Sequence, residues 1–170
     1  MSPCGRRNPC FGLKVFYSSK GIRSIGFTGK SGIMRGGSGN AGAALHKKTS
    51  LLLNKYIRGK TVKFGIPLDL SGFTAFQKAV FRAARRIPHG ETRTYSWIAR
   101  RTGHPEAARA AGNALGANPV PIIIPCHRVV RSDGSPGGFS GGLFRKKALL
   151  ALERAEKNPG CCYNIKRDKS

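Results

Sequence analysis

Residues 118–131 read NPVPIIIPCHRVVR. The isoleucines at 122–124 are apolar and β-branched, which predicts that this stretch is buried. Pro121 and Pro125 bracket it and stiffen the backbone. Cys126 follows at once, with His127 beside it. A cysteine attacks as its thiolate, and a neighbouring base or positive charge promotes that form. A turn anchored by buried apolar residues would hold the sulfur in one place. Neighbours in sequence need not face each other, so Cys126 reads either as a buried structural thiol or as a nucleophile with His127 as its base.

Downstream, residues 135–142 are rich in glycine and serine and predict a loop that can pass close to a ligand. Residues 143–156 predict a final helix carrying Leu149, Leu150 and Leu152. Glu153 sits in this mostly basic helix. It suits a surface salt bridge, and it suits equally an acid that orients a histidine.

Upstream, the composition shifts near residues 67–72. Thr74 then predicts a helix start, and Gln77 completes a capping box. Phe76, Val80, Phe81 and Ala84 line one face of that helix, which ends before Pro88. Thr94 predicts a second helix over 95–101 that stops at Gly103. Pro105 predicts the start of a third, running to about Ala117. Two short helices joined by a glycine-containing turn form a helix-turn-helix pattern. The later helix is almost all alanine and glycine, with Arg109 and Asn113 four apart on one face. Reading bases in the major groove needs several long polar side chains. A smooth helix with one long arginine suits close approach to a narrow groove, and it suits equally tight packing against another helix.

In the first part of the chain, residues 11–17 and 22–27 predict a hairpin. Residues 29–43 predict a loop, 44–57 an amphipathic helix, and 62–66 a further strand. Nothing there looks catalytic.

The 170-residue chain carries 31 Lys and Arg against 7 Asp and Glu, a formal charge of +24. Residues 1–68 hold no Asp or Glu at all. Such self-repulsion favours a polyanionic partner, with nucleic acid first and an anionic membrane surface second. No stretch approaches the roughly 20 apolar residues that cross a bilayer. The basic Arg6-Arg7 pair has no apolar run behind it, so no secretory signal is expected. These features point to a soluble intracellular protein. The cysteines are Cys4, Cys10, Cys126, Cys161 and Cys162, and an odd, scattered set argues against a disulfide framework. Cys4 and Cys10 lack the second pair that a zinc site needs. Neither a metal nor a cofactor is expected.

Pro125-Cys126-His127-Arg128-Val129, preceded by Asn118 and followed by Ser140-Gly141-Gly142, resembles the active-site signature of the O6-alkylguanine-DNA alkyltransferases. The string falls after the helix-turn-helix pattern and before a terminal helix with Glu153, as in that family. The resemblance is close over residues 68–156 and only general before them.

It implies an α+β fold of two small domains. Residues 1–67 would be an α/β domain of ribonuclease H-like type. Residues 68–157 would be a mostly helical domain with a winged helix-turn-helix, and 158–170 a basic tail that adds non-specific DNA affinity. It implies a single-turnover methylated-DNA–protein-cysteine S-methyltransferase, acting on O6-alkylguanine and also O4-alkylthymine. The partner would be duplex DNA, bound through the minor groove with little sequence preference by a monomer in the cytoplasm or nucleus.

By the same resemblance Cys126 accepts the alkyl group, His127 takes the thiol proton through a water, and Glu153 orients His127. Tyr95 assists the departing guanine, and Asn118 is the hinge after the recognition helix. Arg109, on a helix with Ala108 and Asn113, replaces the flipped nucleotide. The carbonyls of Cys126 and Val129 and the amide of Ser140 bind the extruded base, with Phe139 and Pro121 as pocket walls. Phe139 stands where many relatives have tyrosine, and Asn113 where they often have glycine.

Overall fold

The computed structural model describes residues 11–36 and 42–157. Cys4, Cys10, Cys161, Cys162 and the basic tail therefore lie outside the described residues.

The chain begins as a hairpin. Strand β1 (Gly12–Ser18) pairs antiparallel with β2 (Gly21–Thr28), from Gly12 opposite Thr28 to Ser18 opposite Gly21. Leu13, Val15 and Tyr17 alternate inward from β1, and Ile22 and Ile25 from β2. The period of two along β1 buries one face, and a bulge opposite Phe16 and Tyr17 sets the buried isoleucines of β2 three apart. A third strand, β3 (Ile33–Gly36), lies parallel to β1 in the order β2-β1-β3. The sequence predicts a loop there, because only Ile33 and Met34 suit a strand. The pairing is set from outside the segment, with the Leu13 amide donating to the Gly32 carbonyl at 2.8 Å. Tertiary pairing overrides weak strand propensity.

Helix α1 (Ala43–Ile57) buries Thr49, Leu53 and Tyr56, one stripe at helical spacing. The strand expected over 62–66 is not formed. Its residues do alternate in exposure, but the Gly65 amide turns back to the Lys63 carbonyl at 3.1 Å. Pairing with the sheet comes later, where Ile22 bridges Leu68.

Helix α2 (Ala75–Arg85) starts on the predicted capping box of Thr74 and Gln77 and buries Val80, Phe81, Ala83 and Ala84. A two-residue strand, β4 (Arg93–Thr94), leads into α3 (Tyr95–Arg101), where the Thr94 hydroxyl accepts from the Trp97 amide. Helix α4 (Ala108–Gly116) follows. Pro105 does not open it. The Ala107 amide donates to the His104 carbonyl in a turn, and the helix begins only after that turn closes.

Residues 126–128 form one 3-10 turn, continued by β5 (Val129–Val130), which pairs parallel with β4. Helix α5 (Leu143–Lys157) ends the described chain. One buried cluster runs from Leu13 of β1 to Leu149 and Leu152 of α5. The Ile25 amide donates to the Pro119 carbonyl at 2.8 Å, so β2 directly braces the segment that leads to Cys126. No helix among the described residues is long and apolar enough to cross a membrane.

Candidate active site

The segment before the cysteine is held from several sides. Ile122, Ile123 and Ile124 are all buried, as their composition predicts. Ile122 adopts φ +75°, a region a β-branched residue rarely enters. Such strain, on the order of 1–3 kcal/mol, persists only where the surroundings enforce it. Here Pro121, Pro125 and the core supply that constraint.

Asn118 locks the turn. Its Oδ1 accepts from the Val120 amide at 2.9 Å, and its Nδ2 donates to the Ile124 carbonyl at 2.9 Å and lies 3.0 Å from Cys126 Sγ. Burial pushes the Cys126 thiol up, opposed by the Asn118 hydrogen bond and by the charge of Lys146. Cys126 is 5% exposed, at the foot of an open cavity of about 520 Å³. Sites for small molecules commonly enclose about 300–1,000 Å³.

Tyr95, Ala108, Arg109, Asn113 and Phe139 line that cavity with Cys126. Burial, then the proximity of Cys126, raises the Tyr95 phenol, so it stays a donor at neutral pH. Gly137 passes against Tyr95, and a Cβ there would lie 2.8 Å from the phenol oxygen, at φ +61°. Only glycine fits that approach without strain. Pro121 and Ser140 fall in a smaller neighbouring cavity with Phe27 and Arg145. The Val129 carbonyl, expected to meet a base, accepts from Lys146 Nζ at 2.6 Å.

Behind the thiol lies a buried polar cluster. His127 Nε2 is 2.8 Å from Glu153 Oε1, and both residues are fully buried. Of the two readings open for Glu153, the geometry selects the partner of His127. Arg128 donates to both carboxylate oxygens, with Nε 2.9 Å from Oε2 and Nη2 2.8 Å from Oε1, and its Nη1 reaches the Ile87 carbonyl. The Gly90 amide donates to Oε2 at 3.0 Å. Burial would raise the Glu153 carboxyl, but His127 and Arg128 outweigh it and hold it well below the usual carboxylate range. Burial lowers His127, against the pull of Glu153.

An ionised Glu153 can only accept hydrogen bonds, so His127 carries its proton on Nε2. Nδ1 then keeps its lone pair, and it has no hydrogen-bond partner among the described residues. The sequence alone assigns no role to Tyr56, Arg128, Lys146 or Gly90. Lys146 did leave a signal, since it shares the α5 face of Leu149 and Glu153.

The fold and the site define an α+β protein that presents one buried thiol, backed by a His–Glu–Arg cluster, at the foot of an open cavity. Residues 75–155 match the family model described as "6-O-methylguanine DNA methyltransferase, DNA binding domain". The chain is 52% identical over 102 residues to the methylated-DNA–protein-cysteine methyltransferase of Mycolicibacterium paratuberculosis, covering 60% of this chain and 61% of that protein. It is 45% identical over 107 residues to the enzyme of that name from Methanosarcina acetivorans, covering 63% of this chain and 68% of that protein. A crystal structure of Mycobacterium tuberculosis OGT in complex with DNA superposes with a TM-score of 0.67 at 34% identity, covering 85% of this chain and 93% of that one. The chain belongs to the 6-O-methylguanine DNA methyltransferase family.

Proposed function

We propose that the protein repairs alkylated guanine in DNA by moving the alkyl group irreversibly onto Cys126. The observation that carries this reading is the thiol itself, fixed by Asn118 at the foot of an open cavity.

His127 Nδ1 takes the thiol proton through a bridging water. The thiolate attacks the alkyl carbon on O6, an S–C bond forms and the C–O6 bond breaks. The electron pair leaves with guanine, whose ring accepts a hydrogen bond or proton from the Tyr95 hydroxyl. The thioether carries no bond that water can open, so each molecule acts once. O4-alkylthymine offers the same alkyl–oxygen bond and is a second substrate.

The alkyl carbon lies inside the duplex, so the nucleotide must turn out of the stack. Arg109 at the cavity rim is suited to take its place, entering from the minor groove on the smooth face that Ala108 helps to make. The relative solved with DNA supports DNA as the partner. Asn118 is the hinge, the Cys126 carbonyl holds the base in the cavity that Phe139 walls, and the Ser140 amide and Pro121 act from the smaller cavity beside it. Val129 joins them through the second lone pair of its carbonyl.

Of the described residues, those up to 67 belong to a ribonuclease H-like domain and 68–157 to a domain with a winged helix-turn-helix. The protein acts as a monomer, with little sequence preference, wherever the cell keeps its DNA: cytoplasm or nucleus.

Incubation with a duplex carrying O6-methylguanine tests the reading by intact and peptide mass. A single methyl increment on Cys126, complete at one equivalent of lesion, is expected. Tight lesion binding with Cys126 unmodified would overturn it in favour of a damage-binding protein, and turnover beyond one equivalent would exclude irreversible transfer.

A further inference from the structure

We propose that Tyr56 of α1 is a positioning residue for alkyl transfer, holding Glu153 and His127 in their working arrangement from outside the segment that the family model matches. This rests on the alkyl-transfer reading above.

Tyr56 is fully buried, and its hydroxyl lies 2.6 Å from Glu153 Oε1 and 3.2 Å from His127 Nε2. The hydroxyl has one proton, and the ionised carboxylate is the group that takes it. Its oxygen then faces the His127 Nε2 proton, which it shares with Glu153. Burial first, then the charge and hydrogen bond of Glu153, keeps the phenol protonated far above neutral pH. Tyr56 is therefore a constant donor, and α1 reaches the reaction centre through it. The rest of its buried stripe, Thr49 and Leu53, contributes packing.

The hydroxyl draws charge from Glu153 Oε1. Less carboxylate charge then faces His127, and the neutral imidazole that accepts the thiol proton is favoured. The charged and titratable groups around His127 come from each packed element. Glu153 and Lys146 lie on α5, Cys126 and Arg128 on the 3-10 turn, and Tyr56 on α1. His89, in the segment after α2, has Nδ1 3.9 Å from Glu153 Oε1 and its ring 6.0 Å from that of Tyr56. Tyr56 carries no charge, so its removal alters how charge is shared without adding or deleting any.

The test is the pH profile of single-turnover methyl transfer for the unsubstituted protein and for Tyr56→Phe. Alkylation of Cys126 by iodoacetamide is followed in parallel. Tyr56→Phe should move the acid limb of both profiles to higher pH by about half a unit to one unit, with DNA affinity unchanged. Site-specific 3-fluorotyrosine at position 56, a stronger donor of the same shape, should move the limb the other way. It carries the test alone if Tyr56→Phe does not fold. Leu53→Ala, one turn earlier on α1, should lower the melting temperature and leave the limb in place. Superimposable profiles for the Tyr56 variants, or an equal shift in Leu53→Ala, would overturn the proposal. Absence of a methyl increment in the unsubstituted protein would instead overturn the alkyl-transfer reading, and the iodoacetamide profiles would still decide on Tyr56.

Discussion

Lys146 Nζ lies 2.6 Å from the Val129 carbonyl and 3.3 Å from that of Gly138, with the side chain wholly buried. Those carbonyls belong to the strand after Cys126 and to the glycine-rich loop opposite, so one ammonium joins two walls of the site. Burial brings the lysine down to about 8 from 10.5, with the nearby Cys126 opposing the shift. A lysine that binds its proton less tightly when folded makes stability rise with pH between those two values. Below the lower value its buried charge costs up to about 3 kcal/mol.

Lys146→Met keeps the volume and removes the charge. The variant should lose that rise, its urea midpoint staying level between pH 8 and 10.5 where that of the wild type climbs. Its Cys126 should also react about tenfold more slowly with iodoacetamide at neutral pH, because the cation beside the thiolate is gone. An unchanged thiol rate would limit Lys146 to its two carbonyl bonds.

Glu153→Gln tests the cluster behind the thiol. Arg128 would be left buried without its counter-charge, which costs about 3–5 kcal/mol at neutral pH. The folded state holds both Glu153 and His127 below their ordinary values of 4.5 and 6.5, so folding disfavours both protons. Wild-type stability should therefore fall as pH drops below 6.5 and fall further below 4.5. The gap between wild type and variant should narrow over the lower range, as Glu153 becomes protonated in the unfolded chain before the folded one. Chemical unfolding at a series of pH values measures this, and a constant gap would mean that the carboxylate carries no pH-dependent stability.

How far the sequence reaches can be judged on single residues. Thr74 and Gln77 are local signals, and the helix they announce is where they put it. Ile122–124 and the Cys126 turn are likewise legible, because prolines and β-branched residues act on their own backbone. Strand β3 is not, since its partner lies twenty residues earlier and the segment carries almost no apolar pattern of its own. The cluster around Glu153 is half legible. The resemblance supplies His127 and Glu153, but the Tyr56 contact spans 97 positions and no spacing rule connects them. Lys146 looks like one more cation on a basic helix until its burial is seen.

Asn118→Ala separates hinge from hydrogen bond. The substitution removes the acceptor of the buried Val120 amide and a donor to Ile124 and Cys126. A buried amide left without its partner costs about 1–3 kcal/mol. The thiol should also titrate higher, since the Asn118 hydrogen bond is the foremost influence opposing burial. Thermal unfolding and a thiol titration read the two effects independently. A stability loss with no change in the thiol would leave Asn118 as a brace for the backbone alone.

Arg109 and Asn113 stand one turn apart on α4, both exposed, at the rim of the cavity that holds Cys126 and Tyr95. The cavity is open, so a free base can reach the thiol without help from the rim. A base inside a duplex cannot, because stacking and pairing must first be broken at a cost of a few kcal/mol. An arginine that fills the space left in the stack lowers that cost and has nothing to do for a free base. Arg109→Ala should therefore slow methyl transfer from duplex O6-methylguanine by about tenfold or more, and reaction with free O6-benzylguanine by no more than about twofold. Single-turnover rates on the two substrates give the ratio directly. Equal losses on both would mean that Arg109 shapes the cavity instead of opening the duplex, and Asn113 on the same face would become the next rim residue to substitute.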